Sequence, residues 1–175
     1  KEDRYVAWKS VDGDYSGTAH ADGKTMLDGM FGKERLIDIV HNFICFNDSA
    51  ESVVKILAGY HQYFAVRKAA DRAVEAVSGD GKIGVFWHTQ GSGKSYSMVF
   101  LARKIKRKFE GSPTFLVVTD REELNKQIAA TFAGCGCMPS TDAASYIAKS
   151  GADLAQRLKG NPSFVFTLIQ KFNDA

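Results

Sequence analysis

The spacing of apolar residues predicts two amphipathic helices in the first half of the chain. Apolar positions recur every three or four residues over 36–44 and over Tyr60–Val77, so each segment should bury one face. The first face comprises Leu36, Ile39, Val40, Phe43 and Ile44. The second comprises Val66, Ala69, Ala70, Ala73 and Val77. Residues 51–59 fit a strand and a helix equally well. Residues 1–24 are polar and glycine-rich, which predicts a strand or hairpin with loops, or an ordered linker.

From residue 83 onward, short apolar runs alternate with amphipathic stretches. Three runs predict buried strands: IGVFW (83–87), TFLVV (114–118) and FVFTLI (164–169). Helices are predicted over 94–109, 121–132 and, less regularly, 142–158. Strands that alternate with helices in this way predict an α/β fold with a parallel sheet flanked by helices.

The helices of this second half carry more detailed predictions. The first should turn Met98, Leu101, Ala102, Ile105 and Phe109 inward. Asp120 and Glu123 are spaced as a capping box for the second helix, which should bury Leu124 and Ile128. Gly160 should end the third helix.

Composition narrows the class of protein and its compartment. With 45% apolar residues the chain can bury a core, and no run approaches the ~18 apolar residues of a membrane span. Three cysteines without framework spacing indicate reduced thiols in a cytoplasmic protein. Cys135-Gly136-Cys137 is interpreted as a turn after a helix, because no second ligand pair follows at metal-site spacing. The chain begins with Lys1 rather than Met, so we expect a piece of a longer protein.

Charge is distributed unevenly along the chain. The net charge is +3, but residues 1–58 carry seven basic against ten acidic side chains, whereas 59–175 carry sixteen against ten. An anionic partner is therefore expected in the second part. The densest basic cluster, RKIKRK at 103–108, is interpreted as the solvated outer side of its helix rather than as a DNA patch. Cations near a helix C-terminus complement the helix dipole.

The segment FWHTQGSGKSYSM at 86–98 has the composition of a phosphate-binding loop. It lies between a predicted strand and a predicted helix, which is the context such a loop requires. Gly91 and Gly93 allow backbone N–H groups to turn toward a phosphate, and the helix adds its positive dipole end. Lys94 can reach the β- and γ-phosphates, and the Ser95 hydroxyl can bind Mg²⁺. The nucleotide-contacting segment is Thr89, Gln90, Gly91, Ser92, Gly93, Lys94, Ser95 and Tyr96.

The loop departs from the common pattern at one position. A phosphate loop usually begins with a glycine five places before its last glycine, and His88 stands there in this chain. Farther upstream, GYHQYFAVRKA at 59–69 places Gln62 32 residues before Lys94. A glutamine can hydrogen-bond both N6 and N7 of adenine, which would select ATP over GTP. Tyr60, Tyr63 and Phe64 have two interpretations, as residues that pack beside the adenine or as core residues.

Four segments in order carry a resemblance to a known family. They are GYHQYFAVRKA, FWHTQGSGKSYSM, LVVTDREELNKQI and LIQKF. Over roughly residues 30–173 this set resembles the motor (R, or restriction) subunit of type I restriction enzymes, which carries a superfamily 2 helicase-like ATPase. The resemblance implies a RecA-like fold, with 1–58 as a mostly helical connector after a nuclease domain and 59–175 as part of the first motor lobe.

The resemblance also implies roles for individual residues and partners. Gln62 corresponds to the adenine-reading glutamine, and Lys94 with its loop corresponds to the catalytic phosphate loop for ATP and Mg²⁺. Five residues correspond to segments that contact double-stranded DNA: Thr119, Asp120, Arg121, Gln170 and Lys171. Methyltransferase and specificity subunits are the expected protein partners. In the whole protein, ATP-driven translocation would lead to DNA cleavage.

Two parts of the family's machinery have no counterpart in this sequence. No acidic motif that would hold Mg²⁺ and orient the attacking water follows a strand. The DGK tripeptides at 22–24 and 80–82 lack the strand context and second carboxylate of the nuclease, so they are interpreted as turns. We therefore expect this chain alone to bind ATP weakly, if at all, and not to turn it over.

Three other functions are compatible with parts of the pattern. Another superfamily 2 enzyme, such as a type III restriction motor or a repair helicase, would share the loop and the glutamine but not TDREELNKQ. A small-molecule kinase or a GTPase would share only the loop. A binding module that has lost its nucleotide is disfavoured by the intact set of Gly91, Gly93, Lys94 and Ser95.

Overall fold

A computed structural model describes residues 7–14, 22–48, 52–139 and 142–173. The helices are α1 (Gly23–Met30), α2 (Lys33–Asn42), α3 (Tyr60–Val77), α4 (Lys94–Lys108), α5 (Glu122–Gly134) and α6 (Gly151–Lys159). The strands are β1 (Ile44–Asn47), β2 (Val54–Leu57), β3 (Phe115–Thr119) and β4 (Phe164–Leu168). Short 3₁₀ turns cover Ala143–Tyr146 and Ile169–Phe172. Strands β1 and β2 pair with each other, and β3 pairs with β4.

The described residues form two compact units. The first contains the chain up to Cys45 together with Ile56–Lys104, and the second contains Phe46–Lys55 together with the chain from Ile105. Helices α1 to α3 and most of α4 thus belong to the first unit, whereas the β3–β4 sheet belongs to the second. The boundary at residue 58 between a connector and a motor lobe stays a prediction.

Aromatic side chains form the core of the first unit. The ring of Phe43, which follows α2, lies 4.7 Å from that of Tyr63 on α3 and 5.8 Å from that of Phe100 on α4. Trp8 from the N-terminal segment packs 5.7 Å from Tyr63 and is buried. Burial of rings of this size contributes about 1.5–3 kcal/mol per side chain. The core therefore ties α2, α3 and α4 to one another.

Asp38 on α2 forms a polar link to α3 and α4. Its carboxylate lies 2.5 Å from Lys104 Nζ and accepts hydrogen bonds from Asn42 Nδ2 at 2.7 Å and from the Tyr63 hydroxyl at 3.2 Å. Burial alone would raise the pKa of Asp38, but the hydrogen bonds from Lys104 and Asn42 outweigh it and hold the pKa below its ordinary value. Asp38 is therefore ionised at neutral pH.

The second unit contains a two-stranded parallel sheet with helices on both faces. The register pairs Phe115 with Phe164 and Thr119 with Leu168. On one face, Phe132 of α5 packs against the rings of Phe164 and Phe166 at 5.4 and 5.5 Å. On the other face, Val165 forms a buried cluster with Ala148 and Leu154. Side chains alternate between the faces of a strand, so β4 is buried on both sides, as its continuous apolar run predicts.

Several sequence predictions are confirmed by these elements. Helix α3 has the predicted bounds, α4 ends one residue early, and Gly160 is the C-cap of α6. The α/β class and a parallel sheet between helices are also confirmed. Residues 51–59 contain the strand β2. The Cys135-Gly136-Cys137 segment is a turn at the end of α5, with Gly136 at φ 66°.

The strand predicted at 83–87 is wrong for this structure. These residues have no regular secondary structure, and Val85 and Trp87 are 97% and 79% exposed. A strand needs a neighbour to satisfy its backbone hydrogen bonds, and none of the described strands pairs with this segment. The apolar run identified a segment suited to burial but could not supply the partner strand.

Helix boundaries and faces differ from prediction at other places. Helix α2 ends at Asn42 and Ile44 begins β1, so the helix is shorter than predicted, and Val40 is 56% exposed. The capping box of Asp120 and Glu123 is wrong, because Arg121 is the N-cap of α5 and makes no side-chain cap bond. The first DGK is not a turn, because Asp22 is the N-cap of α1 and the helix begins at Gly23. The second DGK, at 80–82, is a turn, as predicted.

The buried faces of the later elements are also shifted. Helix α4 buries Ser97, Val99, Phe100 and Ala102, whereas Met98, Leu101, Ile105 and Phe109 are half-buried. Helix α5 buries Asn125 and Ile128, and Leu124 is 38% exposed. In α3, Val66 and Ala70 are buried but Val77 is 76% exposed. Strand β3 buries Val117 and Thr119 but exposes Leu116 and Val118.

The prediction for residues 1–24 falls largely outside the described residues. Within them, residues 7–14 form a loop and contain no strand.

Candidate nucleotide-binding site

The glycine-rich segment forms a tight loop that leads directly into α4. Gly91 and Gly93 both have φ of 78°, a left-handed conformation that favours glycine. Ser92 N donates to Thr89 O at 3.3 Å, which closes the turn through Gln90. Helix α4 begins at Lys94, so the backbone N–H groups of its first turn lie next to the loop. Ser95 and Tyr96, in that turn, are half-buried.

Lys94 lies across the loop. Its Nζ donates to the carbonyl oxygens of His88 at 2.9 Å and of Thr89 at 2.8 Å, and the side chain is exposed. Both acceptors are neutral and belong to the loop itself. An anionic phosphate is a stronger acceptor than a peptide carbonyl, because charge-assisted hydrogen bonds are roughly twice as strong. Lys94 can therefore exchange these carbonyls for a phosphate without leaving the loop.

Gln62 contacts the loop from the first turn of α3. Its Nε2 donates to Gly93 O at 3.0 Å and to Ser97 Oγ at 3.1 Å, and its Oε1 accepts from Gly59 N at 2.9 Å. The residue is buried. The structure thus brings the sequence-predicted glutamine to the sequence-predicted loop, and its adenine-reading role stays a prediction.

Two histidines flank the start of the loop. The rings of His61 and His88 lie 4.9 Å apart, and His61 Nε2 lies 3.5 Å from Ser92 O. Burial, with His61 and Lys94 nearby, lowers the pKa of His88. His88 is therefore neutral at pH 7. The backbone carbonyl of His88, rather than its ring, accepts a hydrogen bond from Lys94. In this chain, the residue at the usual glycine position therefore contributes a backbone contact to the loop.

The loop fits a polyphosphate on two observations. A Cβ added to Gly91 would meet no atom within 4 Å, so the loop leaves open space there. The buried Ser92 Oγ and His88 Nδ1 have no hydrogen-bond partner within the described residues. Unpaired polar groups in a glycine-rich turn at a helix N-terminus are typical of an anion-binding site.

Replacing Gly93 with alanine should weaken both the fold and the nucleotide site. The left-handed φ costs about 1–2 kcal/mol for alanine. The new Cβ would also lie 3.0 Å from Gln62 Nε2 and displace it. Gly91→Ala is the matched control, because it has the same φ but open space. Urea unfolding should show a larger loss for Gly93→Ala than for Gly91→Ala. Equal losses would show that the Gln62 contact contributes nothing.

The residues predicted to contact DNA lie together at one edge of the second unit. Strands β3 and β4 are parallel, so Thr119, the last residue of β3, and Gln170, just after β4, lie at the same edge. Gln170 Nε2 donates to Asp120 O at 3.2 Å, and Lys171 donates to Ala148 O. Asp120 and Arg121 are exposed and form a 3.5 Å ion pair, and Thr119 is buried. Their contact with DNA stays a prediction.

The basic run at 103–108 divides into two parts. Arg103 donates to Ile44 O at 2.8 Å and Lys104 pairs with Asp38, so these two residues pack the first unit. Lys106, Arg107 and Lys108 lie exposed in the last turn of α4, as the interpretation of a solvated helix end requires.

Sequence reasoning missed Ser97 and His61. Ser97 is a buried polar residue on the inner side of α4, and its hydroxyl accepts a hydrogen bond from Gln62. A serine within an otherwise apolar face was the available signal. His61 gave no signal, because its contact with Ser92 depends on how the first turn of α3 packs on the loop.

A glycine-rich loop that leads into a helix, in an α/β chain, defines the class of phosphate-loop nucleotide-binding proteins. The chain belongs to the SWI2/SNF2 ATPase family, whose model matches residues 61–175. That family implies a RecA-like fold.

The chain is also similar to three curated proteins. It is 43% identical over 136 residues to the type I restriction enzyme HindI endonuclease subunit of Haemophilus influenzae. The aligned region covers 74% of this chain and 13% of that protein. It is 32% identical to the putative MjaIXP endonuclease subunit of Methanocaldococcus jannaschii over 97% of this chain and 18% of that protein. The putative MjaVIIP subunit of the same organism is 41% identical over 53% of the chain and 9% of that protein. The chain thus spans less than a fifth of each relative, and its resemblance to type I restriction subunits is confirmed.

Among the helices that the structure describes, none combines the length and the apolar character needed to cross a membrane.

Proposed function

We propose that this chain is the ATP-binding part of the motor subunit of a type I restriction-modification enzyme. In the whole protein, ATP hydrolysis would drive translocation of double-stranded DNA before cleavage. The observation that carries the proposal is the loop itself, in which Gly91 and Gly93 are left-handed and Lys94 lies across the turn. The match to relatives that are named as type I endonuclease subunits supports the rest.

Each part of the loop has a proposed task. Backbone N–H groups of 91–95 would hold the phosphates, and Lys94 would neutralise the β- and γ-phosphates as charge develops on them. The Ser95 hydroxyl would hold Mg²⁺, which supplies electrostatic stabilisation when bound. Residues 1–58 would connect a nuclease domain to the motor, and 59–175 would form part of the first RecA-like lobe. We propose a cytoplasmic location and methyltransferase and specificity subunits as partners.

DNA-stimulated ATP hydrolysis tests the proposal most simply. The full-length protein that contains this chain should hydrolyse ATP in the presence of its partner subunits and of DNA with their recognition site, and not without that site. ATP hydrolysis by the full-length protein alone on any DNA would favour another superfamily 2 translocase. Phosphoryl transfer to a metabolite would overturn the proposal in favour of a kinase. The 175-residue chain alone should not turn ATP over.

Arg121 should contribute to DNA binding through phosphate contacts. The side chain is 77% exposed at the edge where β3 and β4 end. Arg121→Ala in the full-length protein should weaken binding to all duplex sequences about equally and reduce the salt slope by about one. Arg72→Ala is the matched control, because Arg72 is also an exposed arginine in a local ion pair. If the two variants bind DNA equally well at low salt, this edge does not contact DNA.

A further inference from the structure

A cavity of about 420 Å³ lies between the start of α2 and the first two turns of α3, and its described lining residues lie outside the phosphate loop. Arg35 and Asp38 line it from α2, and Arg67 lines it from α3, around the buried side chain of Tyr63. All of these residues belong to the first unit. We call this cavity the arginine pocket. Its volume lies within the range of small-ligand sites.

Most acidic residues of the arginine pocket already have a cation as partner. Asp38 pairs with Lys104 at 2.5 Å, and Asp28 pairs with Lys24 at 2.5 Å. Among the acids that the structure describes in the pocket, Glu34 alone has no cation within ion-pair distance. The acids therefore leave one negative charge unbalanced.

Three cations line the same pocket, namely Lys33, Arg35 and Arg67. Set against the unpaired carboxylate of Glu34, they leave the pocket with a net positive charge of two. A concave site with an excess of one sign of charge attracts ligands of the opposite sign. The charge balance therefore favours an anion.

The two arginines use few of their hydrogen-bond donors within the described residues. A guanidinium has five N–H donors. Arg35 donates from Nη1 to Gly29 O, and its buried Nε has no partner. Arg67 donates from Nη1 to the Tyr63 hydroxyl at 3.2 Å, and its Nε lies 4.0 Å from the Asp38 carboxylate, too far for a hydrogen bond. Both side chains can therefore accept a further oxygen ligand.

Aromatic rings hold the two guanidinium groups in place. Arg35 Cζ lies 5.9 Å from the centroid of the Tyr63 ring and 5.3 Å from that of Phe64. Arg67 Cζ lies 5.6 Å from the same Tyr63 ring. Stacking of this kind leaves the N–H groups at the edge of a guanidinium available, and their planar fork matches two oxygens of a phosphate or a carboxylate. The buried ring thus preorganises two forks at one cavity.

We propose that the arginine pocket binds one phosphate group through Arg35 and Arg67, as an anion site separate from the phosphate loop. A phosphate has enough oxygens for both forks and carries up to two negative charges, whereas a carboxylate has two oxygens and one charge. The phosphate belongs either to a small phosphorylated molecule or to the DNA backbone. This inference goes beyond the proposed function and does not depend on nucleotide binding.

Equilibrium dialysis of the full-length protein against radiolabelled inorganic phosphate tests the site. Arg35→Gln and Arg67→Gln each remove one charged fork and should weaken one phosphate-binding event about tenfold. Arg67→Lys keeps the charge without the fork and should recover only part of the affinity. Arg72→Gln is the matched control and should bind as the parent does, because Arg72 is an exposed arginine on the same helix.

The Arg67 variant decides the test even if Arg35→Gln does not fold. The Arg67 side chain is 45% exposed, so Arg67→Gln should fold like the parent protein. Phosphate binding that is unchanged in Arg67→Gln would overturn the proposal, and its loss in Lys94→Ala would then place the phosphate at the loop. Absence of phosphate binding by the parent protein would also overturn it.

Competition identifies the source of the phosphate. A short DNA duplex that displaces the labelled phosphate from the Arg67-dependent site would support the proposal and indicate the DNA backbone. A duplex that leaves the phosphate bound would support it with a small phosphorylated molecule as the ligand. Displacement by a poly-glutamate peptide at lower concentration than by unlabelled phosphate would overturn the phosphate assignment in favour of protein carboxylates.

Discussion

Lys94→Ala should abolish ATP hydrolysis and DNA translocation by the full-length protein. Removal of one preorganised group that stabilises developing charge lowers the rate by about 10²–10³-fold. Because Lys94 would place a full positive charge against the phosphates, its loss should lie near the upper end of this range. Nζ of Lys94 donates to His88 O and Thr89 O, so its charge lies across the loop where the phosphates would bind. DNA-stimulated ATPase assays measure the effect.

The same variant should leave the fold intact. Lys94 is exposed and its two acceptors are loop carbonyls that water can satisfy, so stability should change by no more than about 0.5 kcal/mol. Lys159→Ala is the matched control, since Lys159 is an exposed lysine in the last turn of α6. It should retain full ATPase activity. An active Lys94→Ala protein would show that this loop is not the catalytic phosphate loop.

Asp38→Ala should destabilise the first unit more than replacement of any exposed acid. The variant leaves Lys104 Nζ without its carboxylate and the Tyr63 hydroxyl without its acceptor. Breaking a buried pair costs about 3–5 kcal/mol, and side-chain exposures of 15% and 19% place this pair near the lower end. Asp28→Ala is the control, because its pair with Lys24 is exposed to solvent and contributes little to stability. Urea unfolding of the chain distinguishes the two.

The destabilisation should depend on pH in a defined direction. The pKa of Asp38 is lowered in the folded state from an ordinary value of 3.8. Its stabilising effect is therefore complete above that value and is lost as pH falls through the lowered pKa. The difference between parent and Asp38→Ala should stay constant from about pH 7 to pH 5 and shrink below about pH 4. A difference no larger than that of Asp28→Ala at pH 7 would show that the link is not stabilising.

Replacing both Asp38 and Lys104 distinguishes the cost of losing the ion pair from the cost of leaving one buried charge without a partner. Asp38→Leu combined with Lys104→Met removes both charges and fills similar volume with apolar atoms. Such replacements are often neutral or stabilising. The double variant should therefore recover much of the stability that Asp38→Ala loses, although the Tyr63 hydroxyl still lacks its acceptor.

The sequence predicted best where one segment carries its own signal. Helix α3 has the predicted bounds because eighteen consecutive residues repeat one face. Strand β4 was found because four consecutive residues are buried on two faces. The glycines of the loop were recognisable because their left-handed φ requires a residue without a side chain. In each case the physical cause is local to the segment.

Predictions failed where the structure depends on a second segment. The run at 83–87 is apolar enough for a strand, but a strand exists only with a partner. The hydrogen bond between Gln62 and Ser97 joins positions 35 residues apart, and the local pattern of neither segment specifies this pairing. Tertiary packing decides such contacts, and spacing along the chain does not report it.

The central claim is that the loop around Lys94 binds the phosphates of ATP. Calorimetric titration of the full-length protein with Mg-ATP, beside its Lys94→Ala variant, tests this claim most directly. We expect one binding event in the parent protein and a loss of at least about tenfold in affinity in the variant. Equal affinity of the two proteins for Mg-ATP would contradict the claim and place the nucleotide elsewhere.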